Sequence, residues 1–141
     1  MYYGDKFHAK ENERQYKQYL SCGYTGEFTV NEHGWCRNEI DRDKAERLDV
    51  FRKDRIYAYI DVVHLPNGKW VAGSSVSMPT YGYGHGVSIW CKQHDTKQEA
   101  VESHLKRIED YIEKKDLTTY IRNAIEACRK SLMPPIEIAL F

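Results

Sequence analysis

The sequence predicts an α+β fold: a three-stranded antiparallel meander covered on one face by two C-terminal helices, with an irregular or helical N-terminal arm. Three observations predict it. Residues 55–64 alternate apolar and polar side chains, as a half-buried strand does. Pro66-Asn67-Gly68 follows at once, and Asn-Gly is the strongest short hairpin signal. Two stripes of apolar residues at helical spacing then run through 97–115 and 117–132.

The expected organisation is one domain, with an arm over 1–53, a β-β-β-α-α core over 54–133 and a tail over 134–141. In the arm, Tyr16, Tyr19 and Leu20 share a helical face, so a short helix should end before Gly23. A second short helix is expected where Ala45, Leu48 and Phe51 recur, with Asp41 and Asp43 near its start. The first strand turns Ile56, Ala58, Ile60 and Val62 to one face and Tyr57, Tyr59, Asp61 and Val63 to the other. The return strand covers 69–78, with Trp70, Ala72, Val76 and Met78 in phase. Residues 81–86, Tyr-Gly-Tyr-Gly-His-Gly, read as a loop, and Val87, Ile89 and Cys91 as the inner face of a third strand with Trp90 opposite.

Thr96-Lys97-Gln98-Glu99 is a capping box that opens the first long helix. Its stripe is Ala100, Val101, Leu105, Ile108, Tyr111 and Ile112, wide enough to cover a sheet. Asp116 is expected to cap the last helix, whose face is Leu117, Ile121, Ala124, Ile125, Cys128 and Leu132. Pro134-Pro135 should end it, and the tail 136–141 could add an edge strand.

The chain has 141 residues, enough to bury roughly two-thirds of its unfolded surface without a metal or disulfide. Its 21 basic and 21 acidic side chains cancel, so no global field draws it to polyanions. Eleven Tyr, four Phe and three Trp argue against disorder. No apolar run has membrane-spanning length, and the opening Met-Tyr-Tyr-Gly-Asp is not patterned as a secretory signal. Cys22, Cys36, Cys91 and Cys128 are therefore expected to be reduced, in a cytoplasmic protein.

Four groups of residues bear on function. His33 with Cys36 and Cys91 with His94 form two x2-spaced pairs that could make a Cys2His2 zinc site, although no metal or other cofactor is expected. Tyr81, Tyr83 and His85, between alternating glycines, offer stacking surface on a pliable backbone. Tyr57, Tyr59 and Trp90 are expected outward on the sheet, beside the basic cluster Arg52, Lys53 and Arg55 and the hairpin's Lys69. Cys36 with His33, Cys91 with His94, and Asp61 are the candidates for catalytic groups. None sits in a context that activates a nucleophile or an acid–base pair, so no catalytic residue is expected.

The order β-β-β-α over 55–114 resembles two small modules. The double-stranded RNA-binding domain carries packed basic residues at the start of its last helix; here that start reads Thr96-Lys97-Gln98-Glu99-Ala100, with one lysine. The HicB-type antitoxin has a T-x-x-E-A helix start similar to Thr96–Ala100. Neither resemblance assigns a family. The function expected is that of a non-catalytic module, an accessory or inhibitor protein of phage or plasmid type. It should bind and modulate another macromolecule, a protein first, through Tyr81, Tyr83, His85, Tyr57, Tyr59 and Trp90. The alternative is a nucleic-acid-binding sheet face, and the third reading an enzyme with a site assembled from distant residues.

Overall fold

The computed structural model describes residues 2–4, 6, 8–36, 40 and 42–132. In chain order it contains α1 (Ala9–Ser21), β1 (Glu46–Lys53), β2 (Ile56–His64), β3 (Trp70–Ser77), β4 (Gly82–His85), α2 (Lys97–Tyr111) and α3 (Thr119–Ser131). The strands form one antiparallel sheet in the order β1-β2-β3-β4. The α+β class and the two covering helices are as expected, but the meander has four strands, not three.

The additional strand is β1, where the spacing of Ala45, Leu48 and Phe51 predicts a helix. A bulge explains the misleading period. The register slips between Asp49 and Phe51, leaving Val50 unpaired, so Leu48 opposes Ile60 and Phe51 opposes Ala58. One extra residue in a strand puts side chains three apart on one face, which imitates a helical stripe. Asp54, at φ 54°, and Arg55 make the tight connection into β2.

The third strand is also displaced. Residues 82–85 form β4, and 87–91 lie outside any strand. Val87, Ile89 and Cys91 are nevertheless buried, in a second cluster with Cys22, Val63, Leu65 and Val71. The β2–β3 hairpin has the expected tip: the Leu65 amide donates to Lys69 at 2.8 Å, and Gly68 takes φ 90°.

Two layers of apolar packing flank the sheet. On one face Phe51, Ala58, Ile60, Val62, Ala72 and Val76 meet Val101, Leu105 and Ile108 of α2 and Ile121 and Ile125 of α3. Thr96 caps α2 by accepting from the Glu99 amide at 3.1 Å. Thr118, not Asp116, caps α3, accepting from Ile121 at 3.3 Å; Asp116 ends a 3-10 turn just before it. Pro134-Pro135 and the tail lie outside the described residues.

On the other face the arm covers only the hairpin end. The end of α1 docks on the hairpin tip: the Asn67 amide donates to Cys22 at 3.2 Å, and its side chain donates to Ser21 at 3.0 Å. Gly23 permits this, since a Cβ there would lie 2.4 Å from the Asn67 nitrogen. Asn12, fully buried, pins the arm to itself by donating to the Tyr3 and Gly34 carbonyls and accepting from the Cys36 amide, each at 2.8 Å. No helix among the described residues is long and apolar enough to cross a membrane.

Candidate functional site

The half of the sheet that the arm leaves bare is the candidate site. Strand alternation and register organise it into three cross-strand rows: Arg47–Asp61–Gly73, Asp49–Tyr59–Ser75–Gly84 and Arg52–Tyr57–Ser77–Gly82. Bulk is concentrated on β1 and β2. The Tyr57 and Tyr59 rings run parallel, 5.9 Å apart and 10° from coplanar orientation. The Arg47 guanidinium lies 3.9 Å from the centre of Tyr59, and that of Arg52 lies 5.0 Å from Tyr57. Arg47 also forms a two-pronged pair with Asp61, at 2.8 and 3.0 Å, which raises the guanidinium pKa further. Beside this wall β3 and β4 present only serine and glycine, and a cavity of about 390 Å³ opens between Arg47, Tyr59, Asp61, Gly86 and Val87.

The glycines of this floor divide into two kinds. A Cβ at Gly73 would lie 2.3 Å from the His85 carbonyl oxygen, because the chain leaving β4 crosses directly over it. A Cβ at Gly82 would lie 2.6 Å from the Val76 oxygen. These two are required by the fold. A Cβ at Gly84 meets nothing nearer than the Ser75 hydroxyl at 3.9 Å, and at Gly86 it meets nothing within 4 Å. Neither has positive φ, so packing and backbone conformation in the described residues both allow a side chain there.

The residues singled out from sequence fall in different places. Tyr57 and Tyr59 are on the open face as expected. Tyr81, Tyr83 and His85 do not lie on a pliable loop; Tyr83 and His85 belong to β4 and turn toward α2. The alternation explains this: with glycine on the open side of the strand, every tyrosine must take the other. Tyr81 packs on Tyr111 and donates to Asp116 at 2.7 Å, while Tyr83 meets Tyr111 edge to face at 4.6 Å. Burial raises both phenols. Trp90 is 45% exposed under the Arg14 guanidinium of α1, on the segment beneath the arm. The expected surface is therefore split between three regions.

The metal candidates do not assemble. His33 is exposed and pairs with Glu32, Cys36 is buried against α1, Cys91 belongs to the second apolar cluster, and His94 pairs through its backbone with Trp70. Among the described residues no group of three or more metal-ligating side chains converges. The basic cluster disperses too. Arg52 rests on Tyr57 and Lys53 on Tyr120, while Lys69 pairs with Asp95 at the opposite end of the sheet.

Sequence reasoning missed a polar chain inside the helix-covered face. The Ser74 hydroxyl lies 2.7 Å from both the Tyr83 hydroxyl and the His104 Nδ1. With Nδ1 unprotonated, Tyr83 donates to Ser74 and Ser74 to His104, which satisfies all three groups. Burial, then Arg107 and His85, pushes the His104 pKa down to about 4. Ser74 and His104 have the contact of a nucleophile and its base, with Ser74 2% exposed. The signal was faint: Ser74 sits in phase with Ala72 and Val76, a polar residue in an apolar row. In comparisons with protein-family models, curated proteins and solved structures, no match to the chain was found.

Proposed function

We propose that the protein is a non-catalytic binding module that takes an extended segment of a partner protein along β4, against the open face of the sheet. The observation that carries this reading is the pair Gly84 and Gly86, two bare positions that internal packing does not demand, beside the Tyr57–Tyr59 wall. A glycine strand lets another backbone approach closely, and β4 is an edge strand whose outer side faces no other strand of the sheet. Parallel tyrosines supply apolar area with few torsions to freeze, and Arg47, Arg52, Asp49 and Asp61 supply a balanced rim. That balance favours a polypeptide over a polyphosphate, since phosphate binding depends on unpaired cations. The cytoplasmic setting and the modulating, accessory role belong to the same proposal.

A display selection of random peptides against the whole chain tests it. Enriched peptides should bind the wild type and the Lys130→Glu control alike. They should lose roughly tenfold or more in affinity on Tyr59→Ala and Gly84→Val, the scale of an interface hot spot. Binders indifferent to both substitutions would place the site elsewhere. Tight binding of single-stranded oligonucleotides with a steep salt dependence would instead favour the nucleic-acid reading.

A further inference from the structure

Behind β4, on the side of the sheet opposite the tyrosine wall, a second cavity of about 270 Å³ opens between α2 and the 91–94 segment. We propose that this cleft binds a small phosphate-bearing anion, inorganic phosphate or a compact phosphomonoester. Five basic or imidazole side chains line it: Lys92 and His94 from the segment, His104 and Arg107 from α2, and His85 from the end of β4. No carboxylate lines it among the described residues. In a chain whose charges balance overall, that is a local excess of one sign.

Of the nearby acids, Asp95 pairs with Lys69 and Glu102 with Arg129. Lys92 and Arg107 have no carboxylate partner among the described residues. Arg107 lies 5.3 Å over the Tyr83 ring, and a planar guanidinium held by an aromatic face is suited to grip two phosphate oxygens at once. The His85 and His104 rings stand 6.3 Å apart. Arg107 and His85 add to burial in lowering the His104 pKa, so the fixed positive charge of the cleft is that of Lys92 and Arg107, with no counter-ion among the described residues. A dianion supplies that counter-charge. The volume lies near the lower end of the ordinary range for small-ligand sites, roughly 300 Å³, which suits a phosphate with a small body rather than a polymer.

Titration calorimetry of the full chain with inorganic phosphate and with glycerol 3-phosphate, at constant ionic strength in a chloride buffer, tests the proposal. Saturable binding of either anion with a Kd of about 1 mM or tighter is expected. Lys92→Gln should weaken it roughly fivefold and Arg107→Gln roughly tenfold, whereas Lys130→Gln on α3 should leave it unchanged. Lys92 is exposed and its side chain makes no hydrogen bond, ion pair or ring contact among the described residues, so that variant remains informative even if Arg107→Gln loosens the fold. Heats that fail to saturate for both anions, or binding unaltered by Lys92→Gln and Arg107→Gln, would overturn it.

Discussion

Protonating His104 should loosen the contact between α2 and the sheet. Its pKa is pushed from 6.5 down to about 4, chiefly by burial, while in the unfolded chain it titrates near its ordinary value. Between those two values the unfolded state holds more protons than the folded state. Stability is therefore complete above about pH 6.5 and is lost as pH falls toward 4. At about 1.4 kcal/mol per unit, the full gap corresponds to about 3–4 kcal/mol. The ring is partly exposed, and solvent screening reduces the expected loss to about 1–2 kcal/mol. Urea unfolding from pH 7.5 to 4.5, in a phosphate-free buffer, should show this decline in the wild type. His104→Leu removes the titrating ring and leaves Ser74 its bond to Tyr83, so its profile should be flatter by about the same 1–2 kcal/mol. Asp95, lowered by Lys69, loses its contribution only in more acidic solution and cancels in the comparison. Parallel profiles for the two proteins would refute the reasoning.

The packing carries further expectations. Leu105, fully buried between α2 and the sheet, should cost about 2–5 kcal/mol on truncation to alanine in chemical denaturation. Gly73→Ala should be strongly destabilising because its Cβ meets backbone at 2.3 Å, whereas Gly84→Ala, with its nearest contact at 3.9 Å, should leave Tm within a degree or two of wild type. Asn12→Ala removes three hydrogen bonds from a fully buried site and should cost about 3 kcal/mol, with faster amide exchange at Cys36.

Much of the fold was legible because local chemistry and tertiary packing agree. The β2 alternation, the Asn67-Gly68 turn, the Thr96 cap and the α2 stripe each predict the element that forms. The failures arise where a period is ambiguous. The bulge at Val50 made a strand read as a helix, and the glycines of 82–86 made a strand read as a loop. A strand with glycine on one side has half of its pattern missing, and only its partner β3 and the rings of α2 supply the rest. For the candidate face, the outward placement of Tyr57 and Tyr59 followed from alternation alone. The inward turn of Tyr81, Tyr83 and His85 did not, because it depends on which strand their backbone joins. The cleft of Lys92, His94, His104 and Arg107 joins residues from separate elements, and no spacing along the chain marks it.

The claim that β4 receives a partner segment is tested most directly by amide hydrogen exchange on the protein with and without a saturating selected peptide. The amides of Gly82–His85 that do not already bond to β3, and that of the adjoining Gly86, should become protected on binding, because a strand added to this edge takes up amides that otherwise exchange with solvent. The exposed faces of α2 and α3 should exchange as before. Protection confined to the helices, with β4 unchanged, would contradict the account.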